Sequence, residues 1–137
     1  MAEQQKVTIN IPKYLDEDDR ASLAEDIIDY ITTRTAKGYD KNNRKFKPYT
    51  KEYAERKGVS RGDVDLINST DLLESILLLD SDTGMLVIGY AEGDEINGKA
   101  EGNITGSYGQ PDPNPAKARD YLGVSRRDLA ELISRYR

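Results

Sequence analysis

The chain contains neither cysteine nor histidine. Without thiols it forms no disulfide and no thiolate zinc site. Without imidazole it lacks the commonest general base and the commonest transition-metal ligand. Long apolar runs are missing too: none approaches the ~20 residues that a bilayer-crossing helix requires, and Met1 to Lys6 does not have the form of a secretory signal. These absences point to a protein made in a reducing cytoplasm with no membrane partner, in which the Asn103-Ile104-Thr105 sequon carries no meaning for glycosylation. Apolar residues are modest at 36%, against 33% charged, and the mean hydropathy is -0.74. Apolar burial at about 25 cal/mol per Å² has to offset about 1–2 kcal/mol of chain entropy per residue. A core this thin leaves little surplus, so part of the stability is expected from contacts between subunits.

What is present is charge in blocks. The 137 residues fit one compact domain with a net charge of -5. Met1–Thr33 carries 3 basic and 8 acidic residues, and Arg34–Asp63 carries 10 basic and 4 acidic. Val64–Pro113 carries 1 basic and 10 acidic, and Asn114–Arg137 carries 6 basic and 3 acidic. Alternating blocks allow copies to dock head to tail, positive face on negative face. The plainer alternative is a set of solvated faces.

Val7, Ile9 and Ile11 alternate with polar residues and predict a short strand ended by Pro12. Leu23, Ile27, Tyr30 and Ile31 then recur at helical spacing, with Gly38 as the stop. The acidic cluster Asp16–Asp19 falls in the first turn, where carboxylates favour the positive end of the helix dipole, and this explains it better than a metal site. Tyr39–Tyr49 reads as an irregular segment, a flexible arm over about 38–50. Thr50 offers a cap for a short helix through Tyr53 and Ala54 ended by Gly58, and a turn follows near Ser60–Asp63. Ser69-Thr70-Asp71 offers caps for a brief helical turn through Leu72 and Leu73. Ile76–Leu79 and Met85–Tyr90 read as the strands of a hairpin around Asp80–Gly84, each apolar enough to be covered on both faces, one cover being the long helix and the other a neighbouring subunit. Ala91–Pro115 reads as a long loop. Ser125 to Asp128 forms a capping-box pattern ahead of a last helix with Leu129, Leu132, Ile133 and Tyr136 on one stripe.

The motifs that resemble chemistry are weak. Gly93-Asp94-Glu95-Ile96-Asn97-Gly98-Lys99-Ala100 matches seven positions of a phosphate-binding loop, but Ala100 offers no hydroxyl for magnesium and Asp94 and Glu95 would repel phosphate. With a loop expected after it, no helix dipole is expected to hold the anion either. Asp80-x-Asp82-x-Gly84 and Asp40-x-Asn42 lack the ligand series of a calcium loop and are read as turns. No carboxylate spacing selects a catalytic pair. We therefore expect no catalytic residue, no cofactor and no metal.

Lys41, Arg44, Lys45, Lys47, Lys51, Arg56, Lys57 and Arg61 interleave with Tyr39, Phe46, Tyr49 and Tyr53. Basic charge with stacking aromatics suits a nucleic-acid groove. It equally suits an arm that grips an acidic neighbour such as the Val64–Pro113 block, so both readings stand.

Thr35-Ala36-Lys37-Gly38-Tyr39-Asp40, Phe46-Lys47-Pro48-Tyr49, Tyr53-Ala54 and Lys57-Gly58 resemble the characteristic stretch of tailed-bacteriophage virion-morphogenesis proteins, small neck, head–tail joining or tail-completion components. The resemblance resumes at Val64-Asp65-Leu66 and Thr70-Asp71-Leu72-Leu73, where Asp71 replaces the family's usual Gly. It closes at Ala118-Arg119-Asp120-Tyr121-Leu122-Gly123, with Tyr121 in place of Phe, and spans the chain from about Val7 to the C-terminus. It implies an α+β fold in a single domain: a small antiparallel β-sheet packed with a long N-terminal helix and a C-terminal helix. It also implies a homo-oligomeric ring in the virion, a tail terminator or head–tail connector that contacts other neck, connector or tail proteins, with DNA passing nearby unrecognised. The subunit-interface candidates are Tyr39, Arg44, Lys45, Phe46, Lys47, Tyr49, Tyr53, Tyr108, Arg119 and Tyr121. Arg119 and Tyr121 are read first as fixing the final helix against the body and second as partner contacts.

Overall fold

The computed structural model describes residues 3–46, 70–106 and 118–136. The expected helix near Thr50–Gly58, the turn near Ser60–Asp63 and the residues Lys47, Tyr49, Tyr53 and Tyr108 lie outside them. Strand β1 is Lys6–Asn10, and helix α1, Glu17–Ala36, follows the Pro12 turn. Asp16 caps α1 by accepting from the Asp19 N–H at 2.8 Å, with Glu17, Asp18 and Asp19 in the first turn as the charge pattern predicts. Gly38, at φ +93°, ends it: its N–H donates to the Thr35 carbonyl at 2.9 Å, and the Tyr39 N–H reaches the Arg34 carbonyl at 3.2 Å.

Helix α2 (Thr70–Glu74) leads into β2 (Leu77–Asp82) and β3 (Met85–Gly89). The sheet has three antiparallel strands in the order β1-β3-β2, with Val7 opposite Ile88 and Ile9 opposite Leu86. One face therefore carries Val7, Ile9, Leu86 and Ile88, and α1 packs there with Leu23, Ala24, Ile27 and Ile31 buried. On the opposite face Met85 and Val87 are only half-buried, and Leu77 is 40% exposed. Among the described residues the second face of β2 is thus left uncovered, the face for which a neighbouring subunit was expected. Strand β2 also runs further than expected, through Asp82, and the turn is reduced to Thr83 and Gly84. A register shift between Leu78 and Asp80 re-phases β2, so that Asp80 and Asp82 are exposed while Ser81 accepts a 2.9 Å hydrogen bond from Arg20 Nε. Gly84, at φ +80°, supplies a conformation that side chains rarely adopt.

Ala91–Pro115 is not a loop over its described part. Asp94–Thr105 forms helix α3, closed by Gly106 at φ +79°. Ile96, Ala100 and Ile104 fall four residues apart on one face and join the core, and α3 packs against α2. Gly98 and Gly102 weaken its intrinsic propensity, so tertiary packing carries it. Asn97, fully buried, locks its start: the side chain accepts from the Gln5 N–H at 2.7 Å and donates to the Ala91 and Gly93 carbonyls at 2.9 and 2.7 Å. Helix α4 is Arg126–Ile133, with Ser125 Oγ accepting from the Asp128 N–H at 3.2 Å and donating to Asp128 Oδ2 at 2.7 Å. Leu132 is buried, and Tyr136, beyond the helix end, donates to Asp26 Oδ2 at 2.6 Å. The whole is the expected α+β domain, with its long N-terminal and short C-terminal helices.

Gly89 lies close against β1, opposite Lys6. A Cβ there would lie 2.3 Å from the Gln5 carbonyl oxygen and 2.6 Å from Lys6 Cα, both backbone atoms. Gly89→Ala is expected to destabilise the protein by about 2 kcal/mol or more, read as a lowered urea midpoint. An unchanged midpoint would contradict this packing.

Candidate functional site

At the C-terminal end of α1, Arg34 occupies the buried stripe that Leu23, Ile27 and Ile31 begin. It is 6% exposed, and burial lowers its pKa, the first of several influences on it. The guanidinium donates Nη1–H to the Gly123 carbonyl at 2.7 Å and Nη2–H to the Tyr121 carbonyl. Its Cζ lies 5.7 Å from the centroid of the Tyr30 ring. A planar donor fork can hold two carbonyls of one turn together, which a lysine ammonium cannot do with the same geometry. Arg34 thereby fastens residues 121–123 to α1.

Tyr121 points inward. It is fully buried, and its hydroxyl shares a 2.7 Å hydrogen bond with that of Tyr90, also fully buried. Burial raises both phenols above the ordinary tyrosine range, and for Tyr121 the nearby Tyr90 adds to the effect. Arg119 is 7% exposed, and its N–H donates to the Asn103 carbonyl of α3 at 2.6 Å. Both residues therefore fix residues 118–124, the segment ahead of the last helix, within the fold.

The expected arm folds back over its described part. Residues 38–46 form a tight hook: Tyr39 and Lys45 make a β-bridge, and the Asp40 N–H donates to the Arg44 carbonyl at 2.8 Å. Asp40 Oδ1 accepts from the N–H groups of Asn42 and Arg44 at 2.8 and 2.9 Å, which is turn chemistry in place of a cation site. Asp80 and Asp82 similarly accept from the N–H groups of Ser81 and Thr83. Asn43, at φ +62°, turns the hook so that its amide donates to Asp128 Oδ2 at 2.5 Å while its oxygen accepts from the Tyr30 hydroxyl at 3.2 Å. The Asn43 bond, and then that from Ser125, hold the Asp128 carboxyl below its usual range. The Phe46 N–H donates to the Gly38 carbonyl at 2.9 Å, and the ring is 5% exposed within the core. Phe46 as an exposed interface anchor is therefore corrected: a ring buried in its own core has little surface left for a neighbour. Tyr39, 38% exposed, and the exposed Arg44 and Lys45 remain at the surface of the hook.

Hook and distal segment meet directly. The Lys41 N–H donates to the Asp120 carbonyl at 3.0 Å, and Lys41 Nζ lies 2.9 Å from Asp120 Oδ2. Their side chains are 42% and 38% exposed, so the pair contributes little beyond orientation. Gly123 passes beneath Lys41, where an added Cβ would meet Lys41 Cδ at 3.2 Å. Two segments far apart in the sequence thus form one surface, held by Arg34 from below.

Of the three features set against a phosphate-binding loop, the expected absence of a following helix is overturned, while Ala100 and the acids Asp94 and Glu95 stand as read from the sequence. A helix does follow Gly93, but it starts at Asp94 and takes Gly98 and Lys99 into its own turns. Their N–H groups are then committed to helical hydrogen bonding instead of a cradle, and Lys99 lies 3.7 Å from Glu95 one turn back. Among the described residues, no group of three or more acidic side chains is arranged to hold a metal, and no helix is long and apolar enough to cross a membrane. Sequence reasoning missed Arg34, Tyr90 and Asn97. A signal was present for Arg34, a charged residue on an otherwise apolar helical stripe.

Searched against models of known protein families, against curated proteins and against solved structures, the chain finds no match.

Replacing Arg34 tests the clamp. Arg34→Ala is expected to lose about 3 kcal/mol, since hydrogen bonds from a charged donor contribute more than neutral ones, and Arg34→Lys about half of that. Urea denaturation measures both, and limited proteolysis should cut near residues 118–124 in the variants first. The tyrosine pair makes a second expectation. Tyr90 and Tyr121 are raised above the ordinary value of 10.0, so their contribution is complete below that pH and is lost as pH rises through the higher folded values. Denaturation midpoints followed from about pH 9 to pH 12 should fall less steeply in Tyr121→Phe than in the natural chain.

Proposed function

We propose that this chain is a structural component of a tailed-phage virion, a ring-forming neck protein that completes the tail or joins it to the head and acts by protein–protein assembly alone. One observation carries the reading. The stretches in which the resemblance lies, Thr35–Asp40, Phe46 and Arg119–Gly123, are tied to one another by Arg34, by the Phe46–Gly38 bond and by Lys41 with Asp120. Residues that resemble a family as separate pieces of sequence form one continuous unit in space, as expected if the pieces were kept for a common purpose. The partners on this reading are further copies of the chain and adjoining neck, connector or tail proteins, and Tyr39, Arg44 and Lys45 are the described surface candidates for meeting them.

A phage lacking the gene should accumulate DNA-filled heads and separate tails in electron micrographs, and added purified protein should restore joining. Normal infectious particles would sink the reading. A second reading, a nucleic-acid-binding accessory protein, draws on the exposure of Arg44 and Lys45 beside the exposed Tyr39. It requires binding whose salt dependence becomes shallower when Arg44, Lys45 and Lys47 are neutralised, and a filter-binding titration showing no binding at low salt dismisses it.

A further inference from the structure

We propose that two copies of this chain pair through the outer edge of β1, joining their sheets into one. The inference goes beyond the virion reading and does not rest on it. β1 is an outer strand of the sheet. The Gln5 carbonyl accepts from the Tyr90 N–H and the Ile11 N–H donates to the Gly84 carbonyl, so the odd-numbered residues of this stretch turn their backbone groups toward β3. The N–H and carbonyl groups of Lys6, Thr8 and Asn10 point the other way, and these three residues are exposed. Among the described residues no strand pairs with that edge.

The other edge is guarded. β2 is irregular between Leu78 and Asp80 and carries the exposed acids Asp80 and Asp82, features that discourage strand addition. β1 has no proline, no register shift and no acidic residue.

Its sequence is compatible with itself. In an antiparallel pair centred on Thr8, Thr8 faces Thr8, Lys6 faces Asn10, and Val7 faces Ile9 on the side that α1 covers. All residues of both strands are paired, with roughly six hydrogen bonds. Neighbouring registers are poorer. Sliding one way sets Pro12, which has no N–H, opposite Lys6 and then Thr8. Sliding the other way sets Ile9 opposite Gln5 and then Lys6 opposite Lys6. The centred register alone pairs every residue of the two strands with neither a proline nor a like charge opposite, and it is the contact proposed. Such a contact is isologous and closes at two copies, whereas a ring requires a head-to-tail surface.

Sedimentation of the full chain over a concentration series should show a monomer–dimer equilibrium. Thr8→Pro removes an outward N–H without touching the β3 ladder and should leave a monomer. Thr8→Lys and Thr8→Glu, at an exposed site, should each weaken dimerisation about tenfold or more by facing like charges across the axis, and an equal mixture of the two should dimerise again. That rescue protects the test against a misfolded proline variant. A natural chain that stays monomeric at every concentration overturns the proposal. So does an oligomer that persists unchanged in the Thr8→Lys and Thr8→Glu proteins, an outcome that leaves the virion reading untouched because the deletion phage decides that separately.

Discussion

A guanidinium taken out of water must find oxygens, and Arg34 finds them on the backbone of residues 121–123. Much of the rest of the molecule depends on that need. The two carbonyls place Tyr121 so that its hydroxyl meets Tyr90 at the end of β3, and they carry Gly123 beneath Lys41. Chain direction from there sets Ser125 at the start of α4, whose capping carboxylate Asp128 then receives the Asn43 amide of the hook. One charged side chain thus correlates the end of α1, the hook, residues 118–124 and the last helix. Carbonyl oxygens also avoid the second desolvation that a carboxylate partner would add in a buried site.

The division of labour between apolar and polar contacts follows from composition. The apolar core joins α1 to one face of a three-stranded sheet and takes in α2, α3 and α4 through a few side chains each. Segments with little apolar surface are instead held by directed bonds: Asn97 to the chain before β1 and to the start of α3, Asp40 within the hook, Tyr136 to Asp26. Directed bonds add little net stability but fix geometry closely. A polar chain of this kind specifies position at many points while holding its energy in few.

Elements with strong local signals were legible in the sequence. Asp16 and Gly38 bound α1, Ser125 opens α4, and the alternation of Val7, Ile9 and Ile11 marks β1, because caps, glycine stops and period-two patterns act within a few residues. Helix α3 was not legible: Gly98, Gly102 and two asparagines mask a stripe of only Ile96, Ala100 and Ile104, and its start is held by Gln5, at the other end of the sequence. The extension of β2 through Asp82 depends on a register shift that no periodicity announces. In the candidate site, Arg119 and Tyr121 were singled out by the family resemblance alone, and the inward direction of Tyr121 and the burial of Phe46 were not legible, since aromatic residues serve cores and interfaces alike.

Asn97 precedes Gly98, the pairing most susceptible in a mobile chain to spontaneous closure of the side chain onto the following nitrogen, with loss of ammonia. Here the helix directs the Gly98 nitrogen away from that attack, and the Asn97 amide is committed to the Ala91 and Gly93 carbonyls. Chemical ageing at this position is therefore gated by the opening of α3, and any event that frays the helix start exposes the bond that closure would consume. Conversion to aspartate would then set a negative charge among carbonyl oxygens, so the damage would keep the helix from closing again.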